Sequence, residues 1–215
     1  MYSRLLEEYP LQEHFSHDTI VERFSYVAAK HGARVALSSH SGEVFTYRDL
    51  DELSDRVASA LVSTLGPGNV PIALMFGHSL EQVISILGTL KANKTYFSID
   101  ISLPADQLSL MTALVKPAGY LVGNAVHSSD IPELTHDTAV FEYKSIVEHP
   151  LVDFEKHVTP DSVAGIYFTS GTIKEPKGIQ RTHRQILHRV RFGSTLCNLG
   201  PGDRISGIRQ CGLGS

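Results

Sequence analysis

Apolar positions along the chain recur at two periods, one helical and one extended, and their alternation predicts the elements. Thr19 followed by Glu22 reads as a capping box, after which Ile20, Phe24, Val27 and Ala28 recur at helical spacing until Gly32. Val35 to Ser39 and Val44 to Thr46 are short extended runs on either side of Ser41-Gly42-Glu43, which predicts a hairpin. Leu50, Leu53, Val57, Leu61 and Leu65 form the stripe of a long amphipathic helix from about Tyr47, stopped by Gly66-Pro67-Gly68-Asn69. Pro71 to Phe76 is a compact apolar run of buried-strand type. Ser79 with Gln82 reads as a second capping box, opening a helix that carries Val83, Ile86, Leu87 and Leu90.

The same alternation continues. Thr95 to Ile99 is a strand, and Pro104 opens a helix that runs to about Val115, before Pro117. Ala118 to Val122 is another apolar strand, Val126 to His136 a polar connection, and Thr138 to Phe141 again extended. Glu148 to Pro160 reads as loop, Val163 to Thr169 as strand, and His183 to Asn198 as helix. Gly200-Pro201-Gly202-Asp203 is a turn, and Arg204 to Ile208 the start of one more strand. Strands alternating with helices of this length predict an α/β fold with a doubly wound, mainly parallel sheet flanked by helices. Residues 1–18 are an irregular lead-in and residues 19–215 one domain. A parallel strand at Arg204 needs a further crossover to cover it, so the chain reads as the front portion of a longer domain, incomplete at its C-terminus.

Composition narrows the function. A length of 215 residues gives ample core, and 42% hydrophobic with 20% charged residues is ordinary for a globular protein. The net charge of -4 argues against a nucleic-acid partner. Cys197 and Cys211 are too few for a disulfide scaffold and lack metal-ligand spacing. No apolar run approaches signal-peptide or membrane-spanning length, so no membrane partner is expected and a cytoplasmic location is the default. The 11 histidines are scattered, and His183 and His188, five apart on one helix, point to different sides.

The chemistry concentrates between Ile166 and His183, in Ile-Tyr-Phe-Thr-Ser-Gly-Thr-Ile-Lys-Glu-Pro-Lys-Gly-Ile-Gln-Arg-Thr-His. A buried strand opens into a loop of hydroxyls, glycine and lysines, re-enters an extended segment and feeds a helix. Each residue type suits a polyphosphate. Gly171 lets the backbone approach an anion, and neighbouring amides can form a concavity for it. Thr169, Ser170 and Thr172 add hydroxyl donors, and Lys177 and Lys174 add point charges. Other nucleotide motifs are excluded. Pro176, not glycine, precedes Lys177, so there is no Walker A loop, and neither G-x-G-x-x-G nor G-x-S-x-G occurs in the required place.

Tyr167-Phe168-Thr169-Ser170-Gly171-Thr172, followed by Pro176-Lys177-Gly178 and His183, resembles the phosphate loop of adenylate-forming (AMP-binding) enzymes, which include acyl-CoA synthetases and the adenylation domains of nonribosomal peptide synthetases. Phe45-Thr46-Tyr47-Arg48-Asp49-Leu50 resembles the family's "TYxEL", and Leu90-Lys91-Ala92-Asn93-Lys94-Thr95-Tyr96-Phe97-Ser98-Ile99-Asp100 its "LKAGxAYxPLD". Gly200 to Arg204 is similar to the turn after the phosphate-loop helix. The resemblance runs from about Thr19 and is closest to the N-terminal part of a peptide-synthetase adenylation domain. It implies that ATP activates a carboxylic acid (amino, aryl or hydroxy) as an acyl-adenylate, releasing pyrophosphate. The acyl group then passes to a carrier-protein phosphopantetheine thiol or coenzyme A. It further implies that Thr169, Ser170, Gly171, Thr172, Lys174, Lys177 and Gly178 bind the ATP phosphates. The Mg²⁺ and adenine ligands and a catalytic lysine are expected in the remainder of the domain, so the complete reaction is not expected of this chain alone.

The departures from that pattern are specific. Ile173 replaces a hydroxyl residue and Lys174 a glycine. Loss of one charge-assisted contact costs roughly 1.5–3 kcal/mol, and a side chain in a left-handed turn about 1–2 kcal/mol. Felt fully in the transition state, these lower the rate by about two to three and a half decades, which Lys174 partly offsets as a cation. An alternative reading is therefore a degenerate, non-catalytic fragment that serves as a structural or docking module. Asn93 replaces a glycine and Ser98 a proline, at structural positions. If Gly212-Leu213-Gly214-Ser215 aligns with the family's "FDxS", Leu213 replaces the aspartate that holds an α-amino group, and the acid lacks that amine. Arg181, Arg184, Arg189 and Arg191 read as a solvated helix face, His183 as a packing residue at a helix start, Tyr167 and Phe168 as core, and Asp100 and Asp203 as turn or cap residues.

Overall fold

The computed structural model describes residues 19–77, 79–124, 126, 131, 138–155, 157–169, 176–200, 202–207 and 213–214, with the backbone alone at 169, 213 and 214. Helix α1 (Ile20–His31) begins at Thr19, whose hydroxyl accepts the Glu22 N–H while the Glu22 carboxylate accepts the Thr19 N–H, the expected capping box. Strands β1 (Val35–Ser38) and β2 (Val44–Thr46) form an antiparallel two-stranded sheet. Helix α2 (Tyr47–Leu65) starts on a further capping box, Thr46 with Asp49, and stops at Gly66, which takes φ +68°.

The remaining strands make one sheet. They are β3 (Pro71–Met75), β4 (Thr95–Ile99), β5 (Gly119–Val122), β6 (Ala139–Glu142), β7 (Val163–Thr169), β8 (Gly178–Thr182) and β9 (Leu213–Gly214). Their order is β6-β5-β3-β4-β7-β8, with β9 also on β7. Every pairing is parallel except β7 with β8. Helices α3 (Leu80–Lys91) and α4 (Ala105–Val115) are the crossovers from β3 to β4 and from β4 to β5, followed by α5 (Tyr143–Ile146) and α6 (His183–Leu196).

Strand side chains alternate between two cores, as the period of two requires. Ile72, Leu74, Tyr96, Leu121 and Phe141 pack with Val21, Leu50, Val57, Leu61, Ile84 and Leu90 of α1, α2 and α3. Ala73, Met75, Phe97, Ile99, Tyr120, Val122, Ile166 and Phe168 pack on the opposite face with Leu108 and Met111 of α4. Helices on both faces of a mainly parallel sheet are the doubly wound arrangement read from the sequence.

Two local expectations fail, and one element was not anticipated. Ser79 is the N-cap of α3 but its side chain makes no capping hydrogen bond, and Gln82 is buried. Residues 203–207 pair with no strand and are exposed, so the strand expected at Arg204 is absent there. Helix α5 occupies a stretch that the sequence left without an element, since one turn is too short to show a period. The lead-in and most of the connection after Val126 lie outside the described residues.

Candidate functional site

β7 and β8 are antiparallel, and their register runs from Val163 with Thr182 to Phe168 with Gly178. The strand ends therefore hold the two ends of the candidate phosphate loop side by side. Thr169 closes β7 and pairs with Gly214 of β9, and Leu213 pairs with Phe168. Lys177 is exposed immediately before β8. Gly178 lies close against β7, since a Cβ there would meet Ile166 Cγ2 at 3.2 Å and Phe168 Cζ at 3.4 Å. Ser170, Gly171, Thr172 and Lys174 lie outside the described residues, as does Ile173. The structure thus brings Thr169, Lys177 and Gly178 to one end of the hairpin.

The exit from β8 is built by Thr182. Its hydroxyl accepts the Gln185 N–H, the Gln185 amide oxygen accepts the Thr182 N–H, and α6 starts there. His183 then turns inward and is 1% exposed. Its Nδ1 accepts the Ile20 N–H at 3.2 Å, so His183 is a packing residue rather than a free acid–base group. Burial pushes its pKa down to about 4, although Glu22 pulls it up. His188 is exposed, on the other side of α6. Arg184 is exposed and donates from Nε and Nη2 to the Asp161 carboxylate, which holds Asp161 below the usual carboxylate range.

Two features escaped the sequence. The Tyr167 hydroxyl is hydrogen-bonded to that of Tyr96, and the rings meet edge to face at 5.9 Å. The signal was present, as one tyrosine in each strand, but nothing in the sequence gives the β4–β7 pairing. The second lies where the strand order reverses, between β3 and β5. There Asn124 Nδ2 donates to Glu81 Oε1 at 2.8 Å, and burial holds the Glu81 carboxyl above its ordinary range, with Glu43 adding to the shift.

Asp100 and Asp203 are turn residues, as expected. Asp100 Oδ1 accepts the Ser102 N–H at 2.9 Å, and Asp203 Oδ2 accepts the Gly200 N–H at 2.7 Å. Among the described residues, no group of three or more His, Cys, Asp or Glu side chains is placed to hold a metal ion. Among them, too, no helix is long and apolar enough to cross a membrane.

Comparison with known proteins gives the family. A model of the AMP-binding enzyme family matches residues 24–208. Surfactin synthase subunit 3 of Bacillus subtilis (strain 168) is 36% identical over 156 residues, covering 71% of this chain and 12% of that protein. Nonribosomal peptide synthetase dtxS1 of Metarhizium robertsii is 30% identical over 180 residues, covering 80% of this chain and 2% of that protein. The chain therefore spans a small part of the length of such relatives. Among solved structures, the peptide synthetase FmoA3 in its AMPPNP-bound form superposes with a TM-score of 0.77 at 20% identity, over 96% of this chain and 22% of that one. The fatty acyl-adenylate ligase of L. pneumophila, solved with acyl adenylate and pyrophosphate, gives 0.74 at 18% identity, over 88% and 34%. These likenesses agree with the α/β sheet, and the family match fixes the assignment: the chain belongs to the AMP-binding, adenylate-forming enzyme family.

Proposed function

We propose that this chain supplies the phosphate loop of an enzyme that activates a carboxylic acid with ATP. A carboxylate oxygen attacks the α-phosphorus, the bond from that phosphorus to the bridging oxygen breaks, and pyrophosphate leaves with the electron pair. The sulfur of a carrier-protein phosphopantetheine or coenzyme A thiol then attacks the acyl carbon, the bond from that carbon to the phosphate oxygen breaks, AMP leaves with the electron pair, and the thiol proton passes to solvent. Lys177 is the residue here that neutralises charge on the departing phosphates, while the amides and hydroxyls of Thr169 to Thr172 follow them as charge develops. Mg²⁺, when bound by the remainder of the domain, supplies further charge neutralisation. The observation that supports this reading is the β7–β8 pairing, which sets the two ends of the Thr169-to-Gly178 segment side by side, with the exposed Lys177 at the returning end. Leu213 pairs with Phe168 through β9; if Gly212 to Ser215 aligns with the family's "FDxS", a leucine there suits an acid without an α-amino group.

The test is titration calorimetry of the chain with ATP and with AMP. ATP is expected to bind and AMP to bind far more weakly, because the loop holds the β- and γ-phosphates. Lys177→Ala is expected to weaken ATP binding by about 10- to 100-fold, the loss of one charge-assisted contact. Equal binding of ATP and AMP, or an unaffected Lys177→Ala variant, refutes the reading. Ile173 and Lys174 favour the alternative, a degenerate docking module. Lys174→Gly separates the two: a large gain in ATP affinity marks a weakened loop, whereas unchanged binding shows that the position does not matter.

A further inference from the structure

Strand β7 is held from both faces just before the loop begins. On one face Tyr96 of β4 meets Tyr167, hydroxyl to hydroxyl. On the other, the next residue of β4, Phe97, packs on the next residue of β7, Phe168, with ring centroids 5.3 Å apart. The β4–β7 register joins Tyr96 to Gly165, whereas Phe168 and Thr169 pair with β9. Tyr167 lies between those two backbone attachments, so the hydroxyl pair ties β4 to β7 along that interval. Gly165 makes the tie possible. A Cβ at 165 falls 2.8 Å from Tyr96 Cζ and 3.0–3.1 Å from its Cε atoms, so the ring lies across the strand only because that residue has no side chain.

We propose that Tyr96 and Tyr167 are positioning residues for the phosphate loop: their hydroxyl pair fixes the end of β7, the strand from which the loop leaves. This rests on the phosphate-loop reading above. Neither tyrosine is assigned contact with the nucleotide. The action passes through the strand, in the way that a supporting contact fixes a binding group within a fraction of an ångström.

The test uses Tyr96→Phe, Tyr167→Phe, the double variant and Gly165→Ala, each titrated with inorganic tripolyphosphate and with ATP and each melted thermally. The chain has no tryptophan, so the near-ultraviolet tyrosine difference spectrum on adding tripolyphosphate gives a second readout. Each single phenylalanine variant is expected to weaken both ligands by about threefold to tenfold, the value of one hydrogen bond. The double variant is expected to be no weaker than the singles, because both remove the same bond. Gly165→Ala, which displaces the ring and keeps both hydroxyls, is expected to act likewise. In the wild type, tripolyphosphate is expected to perturb the tyrosine spectrum, and Tyr167→Phe to abolish most of that change. A lowered melting temperature with unchanged affinity, or strictly additive losses in the double variant, overturns the proposal while leaving the phosphate-loop reading intact. A wild-type chain that binds neither ligand overturns both.

Discussion

His183 Nδ1 accepts the backbone N–H of Ile20 across 163 residues of sequence. That N–H is one of the donors a helix start leaves without an intrahelical partner. The Thr19 and Glu22 side chains satisfy two others, those of Glu22 and Thr19, and the imidazole satisfies a third. The first residue of α6, immediately after the candidate loop's returning strand, thereby fastens the first helix of the fold. The bond requires Nδ1 to be unprotonated, so the neutral ring carries its proton on Nε2.

This makes the fold acid-sensitive in a defined window. Burial lowers the His183 pKa to about 4 in the folded chain, while the unfolded chain titrates near 6.5. As pH falls below about 6.5, the unfolded state takes up the proton first. The stabilisation is complete above that value, falls by about 1.4 kcal/mol per unit, and has lost about 3 kcal/mol near pH 4. His183→Gln keeps an acceptor and removes the titration. Urea unfolding of both proteins at pH 7, 5.5 and 4 is expected to show the wild type losing about 3 kcal/mol more than the variant. A wild-type-to-variant difference that does not change with pH sinks the argument.

Gly88 is a second pressure point, at the crossing of α2 and α3. A Cβ there falls 2.4 Å from Val57 Cβ and 2.8 Å from the Ser54 carbonyl oxygen. Turning the valine does not move its Cβ, and the carbonyl belongs to the backbone of the same buried helix, so only a separation of the two helices relieves the contacts. Gly88→Ala is expected to destabilise by about 2–3 kcal/mol, against a helix propensity gain of about 1 kcal/mol. Chemical denaturation measures the net change. A neutral or stabilising result means that the helices separate at little cost.

How much of this was legible follows from what periodicity records. The helix α2 stripe of Leu50, Val57 and Leu61 and the unbroken apolar runs of β3 and β5 name their own elements. So do the capping box at Thr19 and the glycine stop at Gly66, each a local rule. Strand order is not local. The Tyr96–Tyr167 pair and the Glu81–Asn124 contact depend on β4 lying beside β7 and on β5 crossing back to β3, which no spacing within either segment encodes. The Thr169-to-Gly178 segment stood out through residue type, and its described ends lie side by side on β7 and β8.

Asn93 illustrates a departure from the family pattern that the backbone explains. It follows α3 with φ +53°. Its N–H donates to the Leu90 carbonyl at 3.1 Å, and the Lys94 N–H donates to the Thr89 carbonyl at 2.9 Å. That is a left-handed helix termination closed by two reverse bonds, where glycine is preferred and asparagine tolerated. Asn93→Gly is expected to stabilise by about 0.5–1 kcal/mol and Asn93→Ala to destabilise by about 1 kcal/mol. Opposite signs in the two thermal-melt shifts check the assignment, whereas equal shifts contradict it.

The neighbouring Lys94 is 0% exposed. Its ammonium donates to the carbonyl oxygens of Gly66 and Gly68, each at 2.7 Å. Burial pushes its pKa down, yet the position suits a cation, because Gly66 ends α2 and its carbonyl lies at the negative end of that helix. The side chain also joins the α2–β3 turn to the start of β4, so its loss acts at two connections at once. Lys94→Met keeps the length of the stem and removes the ammonium, leaving both carbonyls without that donor inside the fold. The cost is expected to be about 2–4 kcal/mol, dominated by the unpaired carbonyls rather than by lost packing. Urea unfolding at neutral pH measures it. Lys94→Met as stable as the wild type shows that water reaches the Gly66–Gly68 turn and satisfies both oxygens, and that the buried ammonium contributes no net stability.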